Sequence, residues 1–332
     1  MSWGIGYRGS KSRIAGDIVT YFPLMKNLYD LFGGGCAVTH CAMTKNIVRN
    51  YYYNDLNTDI VNLVKYVFSD EFKFKECQDK WISREDFFRL KDKEPWIRYV
   101  WSFGNTGNEY LYGREIENDK RILHNLCQLP RPEEFEKKYN VKWEIPFHED
   151  YKENKKHALK LIGEKKYGLE QLQHLERLER LERLQRLERL QHLEHLQRLD
   201  QLERLQHLQR LERLEHLHIS NASYSEIFIN SNSVVYCDIP YKDTYHVGYA
   251  EGGFNYEQFY DWCRDVAQDD IIVMVSEYNM PDDFIPIWEK NIKSFCNNKR
   301  NGSEELCKRA TEKLWILKKQ EKRYNDLMGV LM

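Results

Sequence analysis

The chain has no CxxC pair among its 8 cysteines and no Cys/His spacing of the kind that holds zinc. Those absences exclude a disulfide-stapled secreted scaffold and a structural zinc site, and point to reduced thiols in a cytoplasmic protein. No apolar run reaches the roughly 20 residues needed to cross a bilayer. The start, Met1-Ser2-Trp3-Gly4, carries no secretory leader pattern, so neither a membrane span nor export is expected. Charge of one sign is not in excess: 50 Lys+Arg against 52 Asp+Glu leave a formal net charge of -2. A nucleic-acid ligand therefore has to be met by local basic clusters rather than by a global field. A P-loop is missing too, because no Gly-Lys-Ser/Thr follows any glycine turn. Aromatic side chains, by contrast, make up 14% of the 332 residues, enough for one large core or two modest ones.

Up to residue 69, hydrophobic patterning alternates between helix and strand. Ile14 to Tyr21 has a short helical pattern that stops before Pro23. Leu28 to Phe32 is a strand-like apolar run that ends at Gly33-Gly34-Gly35. Ala37 to Met43 has helical character, Tyr51-Tyr52-Tyr53 a second strand, and Asp59 to Val67 a second helix. Strand, glycine turn, helix, strand is the signature of a parallel α/β sheet. The same character returns near the C-terminal end. Ser233 to Cys237 and Ile271 to Val275 are buried-strand patterns, Phe259 to Ala267 is amphipathic, and Lys313 to Leu317 is a further strand. The last residues are polar and are expected to be loose.

Between these parts lie two segments of other kinds. Residues 70–168 are rich in Lys, Glu, Trp and Phe, with little strand periodicity, and are expected to form a helical subdomain. Their basic residues are either solvated helix faces or phosphate contacts; Arg114, Lys120 and Arg121 are the candidates for the latter. From Leu169 to Leu217 leucine occupies every third position, the pairs between being drawn mainly from Glu, Gln, Arg and His. At about 100° per residue the leucines of an α-helix would drift by about 60° at each step. A 3₁₀ rod would align them, but long 3₁₀ runs are rare, and a solenoid is a third geometry. Strong helix formers and the absence of Gly and Pro favour a helix. Near-identical units favour a tolerated repeat expansion over a tuned oligomerisation arm, although assembly through the repeat stays open. The six His of 169–218 fill the same slots as Gln and Arg, so no metal site is expected.

The chemistry-bearing residues sit at the ends of strands. Asp30-Leu31-Phe32-Gly33-Gly34-Gly35 gives a tight turn that lets backbone approach a ligand, a pattern shared by many nucleotide-binding folds. Asp55, after the second strand, would either accept hydrogen bonds from a ribose or serve the start of the next helix as an Asx cap. Asp238-Ile239-Pro240-Tyr241 directly follows the strand Val234 to Cys237, at the edge where α/β sheets bind ligands. A carboxylate, a backbone carbonyl and an aromatic ring in one segment suit an exocyclic amine of a base. Two acceptors draw its nitrogen towards sp³, and the ring stacks on the extruded base.

In their order these pieces resemble the Dam-type, adenine-specific DNA methyltransferases, particularly phage-like members. Tyr7-Arg8-Gly9-Ser10-Lys11-Ser12 resembles the first cofactor motif. Asp30 to Gly35, Asn54-Asp55-Leu56-Asn57, a variable recognition region and Asp238 to Tyr241 then follow in the family's alpha order. Trp101 to Asn105, Ser276 to Pro281 and Glu312 to Trp315 are also similar to family segments. Ile239 departs from the commonest form by replacing the first of two prolines, where only a carbonyl is needed.

The resemblance implies an α/β fold: a Rossmann-like, S-adenosylmethionine-dependent methyltransferase sheet over 1–69 and 219–332. It also implies a helical target-recognition domain over 70–168, leaving 169–218 as a helical repeat insertion. It implies S-adenosylmethionine held by Tyr7, Lys11, Asp30, Phe32, Gly33, Gly34, Gly35 and Asp55. Asp238, Pro240 and Tyr241 would act on an adenine flipped from double-stranded DNA, without a metal and in the cytoplasm of a bacterium or a phage host. Other readings are an amino-methyltransferase of cytosine N4 or RNA, and a non-catalytic DNA-binding scaffold that assembles through the repeat.

Overall fold

The computed structural model describes residues 3–6, 9–170, 201–211, 214–241, 253–293 and 309–329. It divides into two compact units, 1–69 with 207–332, and 70–206.

The first unit is built on a seven-stranded sheet. Its strands are β1 (Asn27–Asp30), β2 (Asn50–Asn54), β3 (Leu217–Ser220), β4 (Ser233–Asp238), β5 (Ile271–Ser276), β6 (Phe284–Lys293) and β7 (Arg309–Leu317), in the order β3-β2-β1-β4-β5-β7-β6. The first five are mutually parallel, whereas β7 runs antiparallel to both β5 and β6. This is a Rossmann-like, mostly parallel sheet, as expected. The order reverses at β1, with β2 on one side and β4 on the other, so the carboxyl ends of β1 and β4 flank the crevice where such sheets take ligands.

Strand periodicity of two sorts the core into two layers. Leu28, Tyr51, Val234, Tyr236, Ile272, Met274, Leu314 and Ile316 face one way, against α1 (Ala15–Ile18) and α2 (Ala37–Thr44). Their neighbours Tyr29, Val235, Cys237, Val273, Val275, Trp315 and Leu317 face the other, against Phe259, Tyr260 and Cys263 of the helix Tyr256–Val266. Stacked rings run across the first three strands in register, Tyr29 on Tyr52 at 4.2 Å and Tyr52 on His218 at 4.7 Å.

Two strands and a helix go beyond the sequence reading. β3 takes in Leu217 and His218, the end of the leucine-every-third-residue segment, and is pinned by Asn54, whose side chain bonds Leu31, Ser220 and Ala222. β6 escaped because Pro286 interrupts it; the strand lies at the sheet edge and shifts register at Pro286/Trp288, where a residue without an N–H is tolerated. Residues 321–329, expected to be loose, form the helix Glu321–Gly329 instead. Tyr324 anchors it by burying its ring and donating its hydroxyl to the Tyr21 carbonyl.

In the first unit α3 (Thr58–Phe68) follows β2, its start capped by Asn57, which accepts from the Asp59 amide. The second unit is helical: α4 (Phe74–Asp79), α5 (Arg84–Leu90), α6 (Pro95–Val100), α7 (Glu117–Gln128), α8 (Glu133–Tyr139) and α9 (Tyr151–Glu170). Trp81, Trp101, Tyr110 and Tyr112 form one aromatic cluster, and Ile122, Leu126, Phe135 and Ala158 a second core. Of the repeat, residues 171–200 lie outside the described residues. Residues 201–209 are helical, and Leu202, Leu205 and Leu208 are fully buried, so this stretch is packed into the protein.

Candidate active site

Each strand of the sheet's centre ends on a polar side chain. β1 closes on Asp30, β2 on Asn54 and β4 on Asp238. Asp30 is buried, and its Oδ2 accepts from both the amide and the hydroxyl of Thr39 at 3.2 and 2.7 Å. Its Oδ1 is buried with no hydrogen-bond partner among the described residues. Burial, with the neighbouring Asp238 and Asp55 charges and against the Thr39 bonds, pushes its pKa up to about 7.

After β1 the chain turns through Gly33-Gly34-Gly35. A Cβ on Gly33 would lie 2.3 Å from the Tyr53 ring, so that position admits only glycine. Gly34 has φ +45°. Its amide donates to Asp55 Oδ2 at 2.8 Å, and its carbonyl accepts from the Tyr53 hydroxyl at 2.7 Å. Asp55 Oδ1 accepts from the Asn57 amide. Asp55 thus braces the glycine turn, while the capping of α3 falls to Asn57; burial raises the Asp55 pKa. Phe32 packs among Tyr224, Phe254 and Phe259, holding the turn against the aromatic layer.

The N-terminal segment comes back onto this turn. The Ile5 amide donates to the Gly35 carbonyl and the Gly4 amide to His40 Nδ1, at 2.6 and 2.9 Å. Burial lowers the His40 pKa to about 4, which keeps the ring neutral and able to accept. Tyr7 lies outside the described residues. Lys11 caps α1 with its carbonyl, which accepts from the Ala15 amide. Its ammonium sits 2.6 Å from Asp238 Oδ1 and 3.4 Å from Glu312 Oε1. The resemblance put Lys11 beside the cofactor; the structure puts it on the acid that ends β4. Burial pulls the lysine pKa down, but the Asp238 and Glu312 charges more than offset that, so the ammonium stays charged.

Asp238 has its pKa raised to about 6, chiefly by burial, with Lys11 opposing and Glu312 adding to the rise. Its other oxygen has no hydrogen-bond donor among the described residues, and 17% of the side chain remains accessible. The Pro240 carbonyl accepts from the Tyr256 hydroxyl at 2.9 Å. The Tyr241 ring has Lys11 over its face at 4.6 Å and the Tyr278 ring edge-on at 4.5 Å. The Tyr241 hydroxyl donates to Glu312.

The structure therefore gathers Lys11, Asp238, Tyr241 and Glu312 into one charged group, with Asp30, Gly33–Gly35 and Asp55 at the neighbouring strand ends. Tyr256 was not singled out from sequence, and Glu312 entered only as the start of a family-like segment, with no role given to it. The signal for Glu312 was a lone acid inside an otherwise strand-forming stretch; for Tyr256 there was none.

In the helical unit Arg114 is exposed. Arg121 is held by both oxygens of Glu134, at 2.8 and 3.3 Å. Lys120 is only 6% exposed, and a phosphate contact requires its ammonium at the surface, so the structure removes it from the candidates. Among the described residues no group of three or more His, Cys, Asp and Glu is placed to hold a metal ion, and no helix is long and apolar enough to cross a membrane.

No curated protein matches the chain. The family model of the D12 class N6 adenine-specific DNA methyltransferases matches residues 7–167, which cover the N-terminal segment, the glycine turn and the helical region. That match takes in just under half of the chain; over it, and with the sheet of that fold beneath it, the chain is similar to the D12 class of N6 adenine-specific DNA methyltransferases, enzymes that methylate adenine in DNA.

Proposed function

We propose that the methyl donor is S-adenosylmethionine and that Asp238, Pro240 and Tyr241 act on an adenine rotated out of the duplex. What carries this reading is Asp238 itself: a lysine-paired carboxylate at the carboxyl end of β4, with one oxygen still open to a donor. The exocyclic amine would donate one N–H to that oxygen and the other to the carbonyl of Ile239 or Pro240. Its lone pair would then be free for in-line attack on the donor's methyl group; as the N–C bond forms the methyl–sulfur bond breaks, the neutral thioether leaves, and the surplus amine proton passes to the Asp238 carboxylate or to solvent, with the Tyr241 ring against the base. No covalent enzyme intermediate is required. The six described cysteines are all buried, which fits that role.

The residues of the adjoining strand end fit the donor. Asp30 keeps a buried oxygen without a partner among the described residues, which suits an ammonium group. The glycine turn brings backbone close, and Asp55, braced by Gly34 and Asn57, suits a ribose. S-adenosylmethionine supplies the electrophilic methyl group; Asp30, Phe32, Gly33, Gly34, Gly35, Asp55 and Lys11 bind or orient it, Lys11 by way of Asp238.

Residues 1–69 and 219–332, joined by Leu217 and His218 of β3, are proposed as the catalytic domain, 70–168 as the target reader and the rest of 169–218 as the repeat insertion. Arg114 and Arg121 remain the proposed phosphate contacts, Arg121 by exchanging Glu134 for a phosphate. The family match disfavours the cytosine, RNA and scaffold readings.

Asp238→Ala should retain thermal stabilisation by S-adenosylmethionine and yield no N6-methyladenine when product DNA is digested to nucleosides and examined by mass spectrometry. Continued N6-methyladenine production by that variant would refute the assignment.

A further inference from the structure

We propose that Glu312 is a positioning residue for methyl transfer, holding the Tyr241 ring by its hydroxyl and sharing the Lys11 ammonium with Asp238; this rests on the roles given above to Asp238 and Tyr241.

Strand alternation makes Glu312 conspicuous. On β7 the side chains of Leu314 and Ile316 enter the core layer, and Glu312, two residues before Leu314, occupies the same face. It is 4% exposed. A carboxylate in such a place persists only when paired and hydrogen-bonded. Its Oε1 answers that need twice, accepting from the Tyr241 hydroxyl and facing Lys11 Nζ. The strand cannot slide: the Glu277 amide donates to the Lys313 carbonyl, and Trp315 Nε1 donates to the Glu277 carbonyl at 2.9 Å.

The sharing has a consequence for Asp238. If Glu312 were absent, Lys11 would pair with Asp238 alone and hold its lone pairs more tightly. With Glu312 present the ammonium is divided, and Asp238 retains capacity to accept from the amine. The charged and titratable groups around Glu312 are Lys11 from the N-terminal segment, Asp238 and Tyr236 from β4, and Tyr241 just after it. Across the ladder, β6 presents Lys290, whose ammonium is taken by Asp17. β5 presents Ser276, bonded to the Tyr236 hydroxyl.

The test compares Glu312→Gln and Glu312→Asp with the unaltered enzyme. Methyl transfer from S-adenosylmethionine to unmethylated chromosomal DNA is followed from pH 5 to 9, together with melting in the presence and absence of S-adenosylmethionine. Glutamine still accepts from Tyr241 but carries no charge. With that neighbouring anion gone Asp238 ionises more readily, so the acid limb of kcat should move to lower pH by about half a unit to one unit. The plateau should fall about tenfold while KM for the donor stays within about twofold. Aspartate keeps the charge but withdraws it by one methylene from Tyr241; the acid limb should stay in place and kcat should fall.

A purely structural role would not move the limb. An unshifted limb and unchanged kcat in Glu312→Gln would overturn the proposal. So would a loss of kcat accompanied by an equal loss of donor-induced stabilisation. Were Glu312→Gln unable to fold, a wild-type kcat in Glu312→Asp would overturn it just as well. An inactive Asp238→Ala beside a fully active Glu312→Gln sinks only this inference, whereas an active Asp238→Ala sinks the reading beneath it.

Discussion

Replacing Asp30 with Asn should make the protein more stable and the donor site weaker. In the wild type this carboxylate is buried, with one oxygen satisfied twice by Thr39 and the other unpartnered among the described residues. Burial lifts its pKa from 3.8 to about 7. Each pH unit of such a difference is worth about 1.4 kcal/mol, so the ionised group costs about 4 kcal/mol relative to its protonated form. A raised folded-state pKa means that its stability contribution is complete below the unfolded value of 3.8. The contribution is lost as pH rises through about 7. Asparagine keeps an acceptor for Thr39 and carries no charge. Its advantage over aspartate should therefore be absent near pH 4, open between pH 4 and 7, and level off above that. For a unit of about 200 residues, each kcal/mol shifts Tm by about 2–4 °C, so a rise of at least about 5 °C is expected at pH 8. Calorimetry of both proteins from pH 4 to 8.5 measures it. Under the proposed role of Asp30 as acceptor for the donor's ammonium, donor-induced stabilisation should shrink in parallel, because an amide N–H replaces that acceptor. A variant less stable at pH 8, or a Tm difference that does not change with pH, would refute the reasoning.

Gly33→Ala should destabilise the catalytic unit by about 1–3 kcal/mol. The Tyr53 ring blocks the new methyl group and is itself tied to the Gly34 carbonyl, so donor-induced melting shifts should fall as well. Tyr256→Phe removes the hydroxyl that fixes the Pro240 carbonyl; kcat should drop about three- to tenfold with KM unchanged, as steady-state kinetics would show. Deleting whole three-residue units from 171–200 should leave methylation intact, whereas deletions reaching Leu202, Leu205 or Leu208 should lower Tm, since those side chains are buried. Loss of activity from the shorter deletions alone would mean that the repeat positions the DNA.

Much of the sheet's centre was legible because its strands are short, apolar and β-branched or aromatic, and because glycines mark the turn after β1. The strand-end acids Asp30 and Asp238 were visible for the same reason: each interrupts an apolar run. Sequence failed where an element depends on a partner. β3 is half-exposed and owes its place to pairing with β2 and to Asn54. β6 carries a proline that only an edge position permits. The C-terminal helix is polar apart from a few contacts, chief among them Tyr324. The site shows the same division. Asp238 announces itself locally, but that Lys11 pairs with it is a fact of folding, since nothing in the spacing of the two residues suggests contact. Lys120 shows the reverse case: a basic residue in a basic stretch that the fold turns inward.

The charged group at the end of β4 joins residues about 300 positions apart, Lys11 and Glu312, through Asp238. A ribosome adding about 5–20 residues per second needs roughly 15–60 s to span that distance. Throughout that interval the nascent chain carries the first strands and the lysine without the last carboxylate. The complete arrangement thus waits for β7: a chain halted before that strand could hold most of the sheet and still lack the carboxylate that shares Lys11 with Asp238.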